Sequence, residues 1–262
     1  MKLRYHQVDA FTDELFHGNP AGVCPLAEWL PAATMQKIAM ENNQAETAFY
    51  VRGPVRHHIR WFTPAVEVDL CGHATLAASH VIYTIDGAPG PVIEFDSRSG
   101  VLSVRRDGDL LTLDFPADPP LLVAPPRDLI EALGAAPREA YKGKADYLLV
   151  YASHGDIERM RPDFGLLART PARGVIVTAP GDAVDFVSRF FAPQVGINED
   201  PVTGSAHTTL TPFWAARLGK KEMEARQLSR RGGKLHCRLA GARVLISGQA
   251  RAYLQGTIEI PD

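Results

Sequence analysis

Apolar positions along the chain fall into short strand-like runs, interrupted by two long apolar segments of helical length. Leu3 to Ala10 reads as a strand. It leads into a loop over Phe11 to Gly22 that carries Gly18-Asn19-Pro20-Ala21-Gly22. Pro31 to Asn43 has helical spacing: Met35, Ile38 and Ala39 are apolar, and Asn42 and Asn43 suit its end. Thr47 to Val51 and Ile59 to Phe62 read as strands, the latter closed by Thr63-Pro64. Val92 to Phe95, Gly100 to Arg105 and Leu110 to Phe115 read as antiparallel strands, and Asp107-Gly108 supplies a hairpin turn. Ala74 to Tyr83 is apolar on almost every face, the pattern of a buried helix. A second buried helix starts near Gly204 and carries Leu210, Phe213 and Trp214, with Pro212 predicted to kink or shorten it.

Five prolines between Pro116 and Pro126 make a stiff, extended stretch, which marks the boundary between two halves. Beyond it come a short helix (Arg127 to Leu133) and strands at Ala145 to Tyr151, Gly174 to Thr178 and Phe186 to Phe191. The tail adds strands at Lys234 to Leu239, Ala242 to Ile246 and Ala250 to Leu254. Mixed strands with one long apolar helix in each half predict an α+β fold rather than a doubly wound sheet. The expected division is an N-terminal lobe over 1–117, a C-terminal lobe over 118–250, and a final strand over 251–262 that can return to the N-terminal lobe.

Composition narrows the function. The chain has 262 residues, 45% hydrophobic and 22% charged, with a formal net charge of -2. There is no basic stripe or aromatic ladder, which sets nucleic acid aside. The N-terminal segment lacks the apolar core of a signal peptide, and no run has the length of a membrane span. Cys24, Cys71 and Cys237 are sparse and odd in number, which points to reduced thiols and a cytoplasmic location. They show no C-x-x-C spacing, and no metal site is expected. Nucleotide-binding loops and the nucleophile-elbow string are absent.

Two segments resemble each other. Trp61-Phe62-Thr63-Pro64-Ala65-Val66 leads to Gly72-His73-Ala74, and Phe190-Phe191-Ala192-Pro193-Gln194-Val195 leads to Gly204-Ser205-Ala206. Their separation is near half the chain length, which suggests duplication. Each Gly stands where a helix begins, with free backbone N–H groups and the positive end of the helix dipole. Gly72 and Gly204 are therefore candidate binding positions for a small-molecule carboxylate.

Glu46 is the one charge at the start of an apolar strand. A carboxylate in such surroundings loses hydration and tends to hold its proton more tightly, which suits a general acid and base. The alternative is a solvated strand-end residue. Asp200 lies four residues before Gly204, where it is either a site residue or a turn residue. His73 could donate to a substrate, pass protons on, or cap its helix. Ser205 is its counterpart in the second half and could hydrogen-bond a ligand.

At these residues the chain resembles the PhzF-like family of phenazine-biosynthesis isomerases. The strings that carry the resemblance are Val8-Asp9-Ala10-Phe11-Thr12, Gly18-Asn19-Pro20-Ala21-Gly22-Val23, Glu46-Thr47-Ala48-Phe49, Cys71-Gly72-His73-Ala74-Thr75, Glu199 to Ala206, and Arg231-Gly232-Gly233, in family order. The resemblance implies the diaminopimelate-epimerase-like fold, in which each of two pseudo-symmetric lobes wraps a curved, mostly antiparallel sheet around a central helix and the active site lies between lobes. It also implies a homodimer and no cofactor. The characterised phenazine enzyme isomerises trans-2,3-dihydro-3-hydroxyanthranilate with a Glu for proton transfer and a His, Asp and Ser near the substrate; these roles carry over to Glu46, His73, Asp200 and Ser205. Relatives in the wider superfamily racemise with two cysteines, each just before a helix-opening Gly. Here those places hold Cys71 and Thr203, and a hydroxyl is too weak an acid for that work.

The leading expectation is a cofactor-independent isomerase that moves a carbon-bound proton on a small cyclic or amino carboxylic acid. One alternative is a racemase or epimerase that uses Cys71; the other is a non-catalytic small-molecule-binding protein.

Overall fold

Strands that are apolar without alternation have both faces covered, and such strands form the centre of this molecule. The computed structural model describes residues 1–261. The chain divides into two compact units, Met1–Asp114 with the segment from Ser247 onward, and Phe115–Ile246.

The first unit contains β1 (Lys2–Ala10), β2 (Asn19–Leu26), α1 (Ala32–Asn42), β3 (Glu46–Val51), β4 (His57–Phe62), β5 (Glu67–Val68), α2 (Gly72–His80), β6 (Val92–Ser97), β7 (Gly100–Asp107) and β8 (Leu110–Pro116). A π-helical turn, Val81–Ile85, continues α2. In the second unit lie β9 (Leu121–Leu122), α3 (Arg127–Leu133), β10 (Glu139–Lys142), β11 (Asp146–Val150), α4 (His154–Arg159), α5 (Phe164–Leu167), β12 (Gly174–Pro180), β13 (Phe186–Ala192), β14 (Ile197–Asp200), α6 (Gly204–Leu218), β15 (Glu222–Gln227) and β16 (Gly233–Ala240), and β17 (Arg243–Gly248) begins there and ends in the first unit. The last strand, β18 (Ala250–Glu259), pairs antiparallel with β1 in the first unit.

The two units repeat one pairing scheme. In the first, β2 and β3 are parallel, β3 and β4 antiparallel, β4 and β5 antiparallel, β4 and β6 parallel, and β6 and β7 antiparallel. The second repeats this order in β11–β12, β12–β13, β13–β14, β13–β15 and β15–β16. Each sheet has a long helix against one face. Ala74, Leu76, Ala77 and Ala78 of α2 are fully buried, and α2 packs on β1, β2 and β3. Small side chains let the sheet close tightly around the helix. In the second unit Leu210 and Trp214 bury α6, which packs on β11, β15 and β16. The opposite faces carry other helices. Met35, Ile38 and Ala39 of α1 pack with Tyr5, Cys24 and Phe49, and α3, α4 and α5 cover Leu149, Val177 and Phe191. With both faces covered, β11 and β13 are buried at every residue, whereas β15 alternates buried and exposed.

Two expectations change. The loop expected over Phe11 to Gly22 ends at Gly18, because β2 already begins at Asn19. Turn-forming residues are overridden there by ladders to β1 and, from Ala21, to β3. Gly18 makes the entry: its φ is +67° and a Cβ would meet the Ala10 carbonyl oxygen at 2.2 Å. Pro212 does not shorten α6, which runs unbroken from Gly204 to Leu218. Proline leaves the carbonyl four residues earlier without its helical donor. That carbonyl, of Thr208, instead accepts from the Asp118 N–H at 3.0 Å.

Candidate functional site

In the first unit, α1 ends at Asn43, whose left-handed backbone (φ 49°) turns the chain so that β3 opens on Glu46. β3 in turn pairs with β4, and the loop after β4 leads to Cys71, the residue before α2. Neither Cys71 nor Thr203, the residue before α6, places a side-chain cap on its helix, so the first-turn N–H groups at Gly72 and Gly204 have no side-chain acceptor from that position.

His73 is the second residue of α2 and is 5% exposed. Its Nε2 lies 3.2 Å from Glu46 Oε2. On the other side of the ring, Nδ1 lies 3.5 Å from Cys71 Sγ and 3.3 Å from Asn19 Nδ2. Asn19 is itself fully buried at the start of β2. Burial opposes a charge on His73, but the Cys71 sulfur and the Glu46 carboxylate, through charge and hydrogen bonding, outweigh it and hold the imidazole well above its ordinary value. Burial also pushes the Cys71 thiol up, and Glu46 adds to that push. The thiol is thus harder to ionise, while Cys71 and Glu46 together favour the charged form of His73.

This ion pair has a sign that can be measured. A histidine with a raised folded value lends stability below its unfolded value of about 6.5, and loses it as pH rises through the folded value. The stability gap between the protein and a His73→Gln variant, read from urea unfolding, should narrow from mildly acidic toward alkaline pH. A gap that widens with pH contradicts the pairing.

In the second unit, Asp200 ends β14 and its Oδ2 accepts from the Thr203 hydroxyl at 2.5 Å. Buried Gln227 braces this turn: Nε2 donates to the Asp200 carbonyl at 2.8 Å, and Oε1 accepts from the Thr203 N–H at 2.9 Å. Ser205, the second residue of α6, accepts from Arg173 Nη1 at 3.1 Å. The same guanidinium is held by the buried carboxylate of Asp146 through both oxygens. His207, one turn into α6, is fully buried and burial lowers it to about 4; its Nδ1 donates to the Thr203 carbonyl at 2.8 Å. It is a neutral structural group.

The structure thus brings Glu46 and His73 together in one unit, and places Asp200 and Ser205 at the equivalent turn of the other. Asn19, Asp146, Arg173 and Gln227 complete these turns; Asn19 stands in the Gly18-to-Val23 string without being marked as a site residue, and the other three carry no sequence signal of their own. A further pair repeats in register. Arg60 Nε and Nη2 donate to Glu67 at 2.7 and 2.8 Å, and Arg189 Nε and Nη2 donate to Glu199 at 2.6 and 2.9 Å. Each arginine directly precedes the aromatic pair of the repeated segment. Each clamp ties that strand to the short strand, β5 or β14, that precedes the central helix. Charged residues at matching places in the two segments were the available signal.

Two units of one topology, each with a sheet packed on a long central helix, define a protein of the diaminopimelate-epimerase-like fold. A hydroxyproline epimerase from Agrobacterium vitis, solved with trans-4-hydroxy-L-proline, shares that fold with a TM-score of 0.65 at 11% identity, over 100% of this chain and 93% of its own. Closer matches set the family. The model of the phenazine biosynthesis-like protein family matches residues 8–256. An uncharacterized isomerase of Pseudomonas aeruginosa is 54% identical over 99% of this chain and 100% of its own length. The crystal structure of a PhzF-family phenazine biosynthesis protein from Enterococcus faecalis superposes with a TM-score of 0.97 at 44% identity, over 99% of this chain and 100% of that one. The chain belongs to the PhzF-like phenazine biosynthesis family. Among the described residues, no helix is long and apolar enough to cross a membrane.

Proposed function

We propose that this protein is an isomerase that moves a carbon-bound proton on a small cyclic or amino carboxylic acid, with Glu46 as general acid and base and no cofactor. The observation that carries this reading is the Glu46 carboxylate 3.2 Å from the buried imidazole of His73 at the start of α2. Glu46 takes the proton from carbon and returns it to a different position. His73 fixes the carboxylate and offsets its charge. Negative charge that develops on the substrate as the proton leaves is met by the helix-start N–H groups at Gly72, whose dipole favours it. By the repeat, Gly204, Ser205 and Asp200 are assigned to substrate binding, and His73 and Asp200 to orientation or proton relay.

The thiol-based alternative has less support. A racemase base at Cys71 must be a thiolate, and burial and Glu46 both resist that charge. Thr203 offers no second thiol.

Incubation with a panel of small amino and cyclic carboxylic acids in deuterium oxide tests the reading. Deuterium should enter a carbon-bound position of at least one acid, and modification of Cys71 should matter less than loss of Glu46. Exchange that survives without Glu46 overturns the assignment. A cytoplasmic homodimer belongs to the same proposal, on family grounds; sedimentation equilibrium should return twice the chain mass, and a monomer at micromolar concentration contradicts it.

A further inference from the structure

Glu46, Cys71 and His73 come from separate strings, yet one carboxylate oxygen, the thiol sulfur and one ring nitrogen all lie within 4.8 Å of one another. They comprise a thiol, an imidazole and a carboxylate. That mixture suits zinc and other borderline or soft divalent ions, and not magnesium or calcium. Three such protein ligands with a fourth position open is a recurrent zinc arrangement. In a tetrahedral zinc site a sulfur and a nitrogen ligand sit about 3.6 Å apart, and a nitrogen and an oxygen about 3.4 Å. Cys71 Sγ already lies 3.5 Å from His73 Nδ1. Glu46 faces the other ring nitrogen, Nε2, at 3.2 Å, so Nδ1 is the ring ligand and the carboxylate joins it from within the 4.8 Å set.

Cys24 and Cys237 are buried as well, and neither belongs to such a set among the described residues.

We propose that Glu46, Cys71 and His73 form a binding site for one Zn²⁺ ion, and that the bound ion silences Glu46 as a base. Metal binding stands independently of the isomerase reading; only the silencing rests on it. The carboxylate oxygen that would receive a proton becomes a metal ligand instead, so zinc is an inhibitor of this site and not its cofactor.

Cobalt titration of the full chain, reduced with a phosphine and free of added thiol, tests the site. One equivalent of Co²⁺ should produce a near-ultraviolet sulfur-to-cobalt band and the visible bands of tetrahedral cobalt, and one equivalent of Zn²⁺ should bleach both. Cys71→Ser should lose the near-ultraviolet band, and His73→Gln and Glu46→Gln should each weaken binding tenfold or more, with far-ultraviolet circular dichroism unchanged. Cys24→Ser and Cys237→Ser should titrate like the parent. Absence of the band with excess cobalt, or its survival in Cys71→Ser, overturns the site. Should Cys71→Ser misfold, the two other ligand variants decide, and undiminished binding in both overturns it. If cobalt and zinc bind as stated but zinc leaves deuterium exchange intact, the silencing is wrong while the site stands. Failure of all exchange in metal-free protein instead counts against the isomerase reading.

Discussion

Glu46→Gln should lower turnover, or solvent deuterium uptake into an accepted acid, by about 10²–10⁴-fold, the range expected when a general acid–base group is removed. The substitution keeps the side chain's size and hydrogen-bonding reach but removes its capacity to take a proton. It also removes the negative charge opposite His73. The imidazole then faces burial with less to offset it, and should lose its charge at lower pH. Substrate affinity should change less than turnover, because the helix-start N–H groups at Gly72 are untouched. The decisive comparison sets exchange rate beside the unfolding midpoint. A large loss of rate with an unchanged midpoint identifies Glu46 as the proton-transfer group, whereas rate retained within a few-fold shows that another group does the work.

Glu199→Ala should destabilise the protein by about 3–5 kcal/mol, the cost of leaving one partner of a buried pair uncompensated. Arg189 is only 9% exposed at its side chain and donates twice to Glu199. Its remaining Nη1 donates to the Ile157 and Met160 carbonyls at 3.1 and 2.8 Å. The guanidinium is thus fixed among backbone carbonyls and cannot swing to water when its carboxylate is lost. Equilibrium urea unfolding supplies the number, and a change below 1 kcal/mol shows that the pair is as weak as an exposed one. Glu67→Ala, at the equivalent place in the first unit, should cost less. Its arginine is 22% exposed and can reach solvent.

The halves of the fold are legible because their signals are local. Gly72 and Gly204 follow repeated aromatic-Phe-x-Pro-x-Val strings, and both open helices. The unbroken apolar run from Ala74 to Tyr83 marks α2 as central, since no polar face remains for water. β2 was hidden because Asn19, Pro20 and Gly22 are turn formers, and only pairing with two neighbours makes them a strand. Pro212 misleads for a similar reason, since its compensation comes from Asp118, far away in sequence. The candidate site divides the same way. Glu46, His73, Asp200 and Ser205 stand out in recognisable strings. That Asn19 reaches His73, or that Arg173 joins Asp146 to Ser205, depends on contacts between elements that no spacing rule encodes.

Pairing of β18 with β1 runs the length of both strands, from Lys2 opposite Glu259 to Ala10 opposite Ala250, and the Met1 amino group donates to the Ile260 carbonyl at 2.6 Å. Residues 1 and 260 are therefore adjacent in the first unit, near enough for a short linker to join them. A chain permuted to begin in the proline-rich stretch before α3 would encode the same ladders in a different order. In the present order the second unit is an insertion between β8 and β18 of the first, and the β1–β18 ladder is what lets the chain leave the first unit and return to it.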